Sequence, residues 1–331
     1  MVERNIAGKK TATRLAAMRR IALPVIACAL SLCMTSCGVW DWLWERDYGT
    51  PLDSGDLLVG TKDPAAETHN QFEGAVEYLG PGSSYGGTDI YYLGKQDSPN
   101  EHRIIVIDAG HQTEGSSALE PNGPGSEVMK AEITWGATGV STGQTEYELN
   151  LRVALLLRDE LIRRGYSVVM IRETNDVKIS NMERAQIANK YQAAAYVRIH
   201  ANSWTDPSKH GALTICQSSA NPYCAHLYKE SSLLSQCILS AFCEETGHLN
   251  LGVTETDTMT GTNWSEVPTT IVEMGFLSNP DEDRYMTYDI FHVDAAKGIA
   301  NGLDAYFKLT EPEETTAAET KRISPWEEGR N

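Results

Sequence analysis

The fold is decided by the stretch RIIVIDAGH at residues 103–111. Its unbroken apolar run predicts a strand buried on both faces, as in parallel and mixed sheets. Gly110 then permits a sharp turn. Ligands of α/β sheets bind beyond the carboxyl ends of the strands. We therefore expect the imidazole of His111 to project over that edge of a sheet.

Helices and strands alternate along the chain beyond this stretch. Residues 145–164 form the clearest predicted helix, because TEYE fits an N-terminal capping box and Gly165 fits a C-terminal stop. SNME, from residue 180, is a second capping box, and it opens a helix that runs to about Tyr191. The other predicted elements are strands at residues 166–171, 194–199, 213–217 and 269–272 and helices at 223–245 and 293–309. This alternation predicts a single α/β domain in which helices cover both faces of the sheet.

The first 37 residues have the pattern of an export signal. Basic residues precede an apolar run at residues 21–33, and that run is too short for a comfortable membrane span. MTSC, which ends at Cys37, resembles the processing box of bacterial lipoproteins, with Cys37 as the lipidated residue. An ordinary secretory signal cleaved near Ser36 and an uncleaved anchor are the alternatives. All three place the domain outside the cytoplasm, and lipidation makes Cys37 the membrane contact.

Composition divides the remainder of the chain into three parts. Residues 38–100 are rich in Gly, Ser, Asp and Pro and show no sustained period, which predicts a linker or flexible tether. Residues 311–331 form a polar acidic tail, which leaves residues 101–310 as the folded domain. The net charge of −17 disfavours binding to nucleic acid or to an anionic membrane through a basic surface. The chain also has no phosphate-binding loop for a nucleotide.

Four cysteines follow the predicted signal, and an even number in an exported chain permits two disulfides. A bridge between Cys216 and Cys224 would close a short loop, and we favour this pair. Cys237 and Cys243 are awkward partners, because residues six apart do not share one face of a helix. The pairing remains open at this point.

Residues 112–144 form a long segment rich in Gly, Ser, Pro and Thr. A loop of this length is usually functional or disordered. The segment leaves the strand end that carries His111 and rejoins the chain at the helix that carries Glu146. We therefore expect this insertion to border the functional site.

Two histidines and two glutamates occupy the ends of predicted elements. His111 and His200 follow strands, Glu146 begins the clearest helix, and Glu273 ends an apolar strand within VEMGF. This set matches a catalytic zinc site, in which three protein ligands leave a fourth position for water. A free carboxylate beside such a site moves protons.

Each of these residues also has a structural interpretation. A single histidine at a strand end is more often structural, and the helix dipole favours a carboxylate at Glu146 even without a metal. Glu273 has either a raised pKa that suits proton transfer or an arginine partner such as Arg284. We favour Glu146 over Glu148 as a ligand, because the capping-box glutamate turns back to the cap. Asn150 is a candidate for a supporting hydrogen bond to the ligating carboxylate.

Five ordered motifs together resemble those of the zinc-dependent N-acetylmuramoyl-L-alanine amidases, the type 3 peptidoglycan amidase family. The resemblance runs from about Arg103 to Phe307, nearly the whole predicted domain. The motifs are IDAGH at 107–111, ExxxNL at 146–151, Arg184 with Ala188 and Asn189, IHAN at 199–202, and VExGFLSN at 272–279 followed by Asp281 or Asp283. Five matches in order are far more specific than any one of them.

The resemblance implies one zinc ion per chain, held by His111, Glu146 and His200, with Glu273 as the catalytic acid/base. It also implies a mixed, mostly parallel six-stranded sheet with flanking helices. The implied substrate is peptidoglycan, and the implied bond joins the lactyl group of N-acetylmuramic acid to the L-alanine of the stem peptide. The implied location is the cell envelope, facing the wall.

Two further residues are predicted to bind the substrate. Arg198 stands where many members of the family carry serine. Its charge beside a metal ligand suits the carboxylates of a stem peptide. Asn202, which ends the same motif, is the second predicted substrate contact.

Three alternatives to an active amidase remain open. The first is a non-catalytic surface lipoprotein that uses the groove only to bind peptidoglycan, although a pure binder has no need of Glu273. The second is a zinc peptidase that cleaves between residues of the stem peptide. The third is a latent amidase that is gated by the insertion at residues 112–144 or by a partner.

Overall fold

The computed structural model describes residues 78–81, 90–95 and 97–311. The predicted signal, with Cys37, and the predicted tail after residue 311 lie outside these ranges. The strands are β1 (Tyr78–Pro81), β2 (Ile90–Tyr92), β3 (Ile104–Ala109), β4 (Ser116–Pro121), β5 (Met129–Ile133), β6 (Ser167–Met170), β7 (Ala195–Asn202), β8 (Ala212–Cys216), β9 (Asn250–Glu255) and β10 (Thr269–Phe276). The helices are α1 (Glu146–Arg163), α2 (Asn181–Lys190), α3 (Tyr228–Thr246), α4 (Thr260–Asn263), α5 (Pro280–Tyr285) and α6 (Asp289–Thr310). No helix in the described ranges is long and apolar enough to cross a membrane.

One sheet forms the centre of the fold, and its strand order is β1-β2-β6-β3-β7-β10-β8-β9. β3 is parallel to β6 and to β7, β10 is parallel to β7, and β9 is parallel to β8. β8 is antiparallel to β10. The strands from residues 101–310 therefore confirm the predicted α/β class and the mixed, mostly parallel six-stranded sheet.

Two short strands extend this sheet into the segment that the sequence analysis assigned to a linker. β2 pairs antiparallel with β1 on one side and with β6 on the other. Tyr92 at the end of β2 is buried, and its hydroxyl donates to Glu173 at 2.5 Å. The linker boundary at residue 100 is therefore wrong, because part of residues 78–95 belongs to the sheet. Strands of three and four residues are too short to show a period in the sequence.

Helices cover both faces of the sheet, as predicted. On one face Ile107 belongs to the same buried cluster as Leu157 of α1 and Phe242 of α3. On the other face Val106 clusters with Ile187 of α2. Neighbouring residues of β3 thus enter opposite cores, as the twofold side-chain period of a strand requires. This double burial explains the unbroken apolar run that decided the fold.

The insertion at residues 112–144 is folded, and it contains β4 and β5, which pair antiparallel in a separate sheet. Near the end of β4, the carboxylate of Glu120 accepts hydrogen bonds from the backbone N–H of Met182 in the first turn of α2. Near the end of the insertion, the buried carboxylate of Asp283 accepts from the backbone N–H of Ser141 at 2.6 Å. These contacts attach the insertion to the domain at both ends.

The four cysteines of the domain are free thiols, so the favoured bridge between Cys216 and Cys224 is wrong. Cys216 is buried in β8. The Cys224 thiol instead contacts Asn221 Oδ1 at 3.5 Å and the carbonyl of Thr262 at 3.6 Å. Burial raises the pKa of Cys216 to about 11 and that of Cys224 to about 12. Both side chains therefore remain protonated core residues.

Candidate active site

His111 follows β3 in a backbone conformation that few residues adopt. Its φ is 60°, in the left-handed region. Gly110, just before it, lies so close to the His200 ring that any Cβ there would collide with the imidazole. The carbonyl oxygen of Thr134 lies 2.9 Å from His111 Nδ1. Because a carbonyl only accepts hydrogen bonds, Nδ1 carries the proton and Nε2 presents its lone pair.

Glu146, the first residue of α1, lies between the two histidines. Its Oε1 is 3.2 Å from His111 Nε2 and 3.1 Å from His200 Nδ1. Glu148 is exposed instead, and it accepts a hydrogen bond from the Thr145 hydroxyl at 2.5 Å. The start of the helix therefore turns Glu146, and not Glu148, toward the histidines.

The three side chains form a candidate metal site. Their ligand atoms all lie within 4.8 Å of one another. Zinc bonds of about 2.0–2.1 Å in tetrahedral geometry place neighbouring ligand atoms about 3.3 Å apart. The separations of 3.2 and 3.1 Å from Glu146 Oε1 to the two ring nitrogens fit that spacing. His111, Glu146 and His200, the predicted ligands, are thus brought together with a donor set that suits such an ion.

Electrostatics favour the metal-binding forms of His200 and Glu146. Burial lowers the pKa of His200 to about 4, so its ring is neutral near pH 7. Burial by itself would raise the pKa of Glu146, but its close contacts with His111 and His200 outweigh burial and hold that pKa well below its usual range. A neutral imidazole and an ionised carboxylate are the forms that bind metal ions.

Backbone and amide groups hold the Glu146 carboxylate in place. The N–H of Ala137 donates to Oε2 at 2.7 Å, and the N–H of Ala201 donates to Oε1 at 3.2 Å. Asn150 Nδ2 lies 3.4 Å from Oε1 and donates to the carbonyl of Gly110 at 3.2 Å, so it lies where we expected a supporting group. Sequence reasoning missed Ala137, because a backbone N–H can come from any residue type and leaves no motif.

Glu273 lies on β10 directly beside His200, with which it is paired in parallel register. Paired residues on neighbouring strands point to the same face of a sheet, so this carboxyl group lies next to the metal site. Burial, together with the charge of Glu146, raises its pKa to about 8. Its Oε2 is buried and has no hydrogen-bond partner among the described residues. Arg284, the alternative partner, pairs with Asp281 instead.

Comparison with known proteins decides what this site belongs to. Residues 105–305, more than half of the chain, match the family described as N-acetylmuramoyl-L-alanine amidase. The chain belongs to this amidase family. The match confirms the resemblance drawn from the five motifs and the activity that it implied, amide hydrolysis in peptidoglycan. An amidase that acts on the cell wall works outside the cytoplasm.

Individual relatives match similar shares of this chain. An uncharacterized protein of Bacillus subtilis, YqiI, is 28% identical over 209 residues, which are 63% of this chain and 87% of that protein. N-acetylmuramoyl-L-alanine amidase AmiA of Salmonella typhimurium is 24% identical over 249 residues, or 64% of this chain and 79% of that one. The catalytic domain of CwlV, an amidase from Bacillus (Paenibacillus) polymyxa var. colistinus, matches with a TM-score of 0.50 and 26% identity, covering 62% of this chain and 98% of its own.

Buried arginines support the segment of the amidase that carries His111. Arg172 donates to the carbonyl of Gly110 at 3.0 Å. Arg184 donates to the carbonyl of His111 at 3.1 Å and forms a short ion pair with Asp108. These bonds hold the turn in which His111 adopts its left-handed conformation. The sequence pointed to Arg184 only as part of a motif and did not point to Arg172, most of whose partners are backbone carbonyls.

Arg198 does not face an open groove. It is buried, and its Nε donates to Asp108 Oδ2 at 2.8 Å while Nη2 donates to Asn181 Oδ1 at 3.1 Å. The Arg198 guanidinium is held by Asp108, a carboxylate that it shares with Arg184, and this placement argues against the predicted contact with stem-peptide carboxylates. Asn202 ends β7 in a partly exposed position, where its Oδ1 accepts from the backbone N–H of Ser203 at 2.8 Å. Its contact with substrate stays a prediction.

Proposed function

We propose that this amidase uses one zinc ion to hydrolyse the amide between the lactyl group of N-acetylmuramic acid and the L-alanine of the stem peptide. The observation that carries the proposal is the convergence of His111 Nε2 and His200 Nδ1 on one oxygen of Glu146. Family membership over residues 105–305 supports the choice of bond.

In this proposal His111, Glu146 and His200 hold the metal, and their supporting contacts keep them in place without a substrate. Two nitrogens and one oxygen form the ligand set of a catalytic zinc site. A bound zinc ion would lower the pKa of its water to about 7 and polarise the scissile carbonyl. The hydrogen bond of Thr134 to His111 and that of Ala137 to Glu146 limit the motion of these ligands.

Glu273 moves the proton. As the water attacks the carbonyl carbon, the Glu273 carboxylate accepts a proton from it. Glu273 then donates that proton to the L-alanine nitrogen while the carbon–nitrogen bond breaks. Two features support this role: the pairing of Glu273 with His200 on adjacent strands and the buried Oε2, which has no partner in the described part of the chain. A carboxylate already committed to an arginine could not move a proton in both directions.

The bond cleaved is tested by analysing the ends that the full-length protein leaves on purified peptidoglycan. We expect about one zinc per chain, and we expect mass spectrometry to find free lactyl groups on the glycan and free L-alanine amino ends on the peptides. Removal of the metal with a chelator should stop the reaction, and added zinc should restore it. New amino ends at another stem-peptide residue would show a zinc peptidase. The absence of any new ends would show a binding protein or a latent enzyme.

Membrane attachment is a further part of the proposal. We infer that Cys37 is lipidated and attaches the amidase to a membrane so that it faces the wall. The support is the pattern of residues 1–37, which lie outside the described residues. Cys37→Ala should release the protein from the membrane fraction into the soluble fraction. Continued sedimentation of the variant with membranes would favour the uncleaved anchor.

A further inference from the structure

The insertion places an exposed tryptophan at the rim of the metal site. Trp135 is 71% exposed. Its two neighbours in the chain both reach the site: the carbonyl of Thr134 bonds His111, and a Cβ on Gly136 would lie 3.1 Å from Glu146 Cβ and 3.2 Å from His111 Cγ. The backbone of Trp135 is therefore held on both sides by residues that contact the proposed metal ligands.

The indole of Trp135 lies flat against Gly115. A Cβ on Gly115 would be 2.5 Å from indole Cε2, 2.6 Å from Nε1 and 2.8 Å from Cδ2. Only a point above the ring plane is nearly equidistant from three consecutive ring atoms. One face of the indole thus rests on the backbone of Gly115, and the exposure of the side chain leaves the other face open to solvent. The ring is pre-organised as a flat apolar surface beside the site.

We propose that Trp135 is a stacking surface for a sugar ring of the glycan strand and so holds the polymer while its lactyl amide lies at the metal. This inference rests on the proposed function for the identity of the substrate. A pyranose ring presents a face of C–H groups that packs on an aromatic face. A stem peptide with ionised carboxylates gains less from such a surface than a sugar ring does.

The test measures glycan binding directly, so that it does not depend on cleavage. The full-length protein is titrated with soluble, peptide-free peptidoglycan oligosaccharides and, separately, with free stem peptide. We expect Trp135→Ala to weaken oligosaccharide binding by about 3- to 10-fold. Binding of free stem peptide and zinc content should not change. Trp135→Phe should retain most of the oligosaccharide affinity, because it retains an aromatic face.

A matched control removes an exposed apolar side chain far from the site. Leu309 is 65% exposed, and it lies next to Glu311, which pairs with Arg103 at the opposite end of β3 from His111. Leu309→Ala should bind the oligosaccharide as the wild type does. On intact peptidoglycan, Trp135→Ala should raise KM while kcat stays within about twofold, since a uniform binding contact affects KM alone.

Three results would overturn the inference: unchanged oligosaccharide binding in Trp135→Ala, equal loss in Leu309→Ala, or loss of stem-peptide binding in place of glycan binding. The last would assign the surface to the peptide. Failure of the proposed function has a different signature, because wild-type protein with zinc would then leave peptidoglycan uncleaved while the difference in oligosaccharide binding persisted.

Discussion

The described part of the chain brings a largely buried histidine to a largely buried glutamate in two regions, and the contrast shows what makes a metal site. In the active site, two imidazoles meet the Glu146 carboxylate. In the second region, His248 Nε2 lies 3.5 Å from Glu282 Oε1. The residue types are the same, and the side chains are similarly shielded from water. The two regions differ in the other groups that contact the carboxylate.

Glu282 uses both of its oxygens to hold the backbone. Oε1 accepts from the N–H of Gly211 at 2.6 Å, and Oε2 accepts from the N–H of Phe276 at 2.7 Å. The His248 ring stacks on Tyr285, and among the described residues this pair does not belong to a group of three converging metal-binding side chains. Burial raises the pKa of Glu282 to about 7 despite its two backbone hydrogen bonds, whereas direct contacts with two imidazoles hold the pKa of Glu146 low. Convergence of three donor atoms, and not the presence of histidine and glutamate, therefore distinguishes the candidate metal site.

Loss of one imidazole from each region gives the largest expected difference. His200→Ala should lose bound zinc and reduce cleavage of peptidoglycan to background, because only two ligands remain. His248→Ala should keep about one zinc per chain and cleave at a rate near that of the wild type, with a lower melting temperature. Metal analysis of the purified proteins and an assay of new amino ends measure both. Zinc retained in His200→Ala, or lost in folded His248→Ala, would remove the distinction between the regions.

Glu273 and Glu282, whose pKa values are both raised by burial, provide the second comparison. Glu273→Gln should lower kcat by about 10²- to 10⁴-fold, the usual contribution of general acid–base catalysis, while zinc content stays unchanged. Glu282→Gln is the matched control, since it replaces a buried glutamate of raised pKa by the same amide. We expect its cleavage rate to stay within about threefold of the wild type when the protein is folded. A fully active Glu273→Gln protein would contradict the assignment of Glu273 as the proton carrier.

A smaller effect is expected from the side chain that supports the metal ligand. Asn150→Ala removes the amide near Glu146 Oε1 and its hydrogen bond to the carbonyl of Gly110. Loss of such a supporting contact typically weakens metal binding by about 10- to 100-fold. Competition with a chelator of known affinity measures the change. Asn150→Asp is a useful second variant, because it keeps the shape of the side chain and adds a charge. Wild-type zinc affinity in Asn150→Ala would show that the backbone contacts are sufficient to hold Glu146 in place.

The sequence predicted the elements that are buried on both faces and failed at the exposed ones. β3, β7 and β10 carry apolar runs because helices cover both sides of each strand. His111 follows β3, whereas His200 and Glu273 lie within β7 and β10, which extend beyond the predicted ends. β9 was missed, because it pairs only with β8 and most of its residues are exposed. An edge strand that faces solvent has little need of apolar residues, so its pattern is weak.

In the candidate site, the sequence predicted the side chains but not the backbone groups that support them. The ligands of the site were predictable, since imidazole and carboxylate groups at element ends have few equivalents in the chain. The groups that orient those side chains were not predictable. They are the carbonyl of Thr134 and the N–H of Ala137, and any residue type at these positions of the insertion would supply the same backbone groups. The ion pair of Arg198 was not predictable for a related reason, because its partner Asp108 is ninety positions away in sequence and only the sheet brings the two together.

The smallest expected effect is on stability, and it comes from Glu282. Glu282→Gln keeps only one acceptor oxygen, so one of the N–H groups of Gly211 and Phe276 is left unsatisfied, at a cost of about 1–3 kcal/mol. Because the folded pKa of about 7 exceeds the unfolded value, the folded state binds more protons between about pH 4.5 and 7. Wild-type stability from this group therefore falls as pH rises through that window.

The variant lacks this titration, whereas His248 and the other groups titrate in both proteins. The difference between the two proteins in free energy of unfolding should therefore be largest near pH 5 and should shrink toward pH 7.5. Denaturant titrations of both proteins across this range measure the difference. If the difference stays constant or grows with pH, the pKa of Glu282 is not raised. The pair of Glu282 and His248 would then resemble the candidate metal site in its electrostatics, although its hydrogen bonds differ.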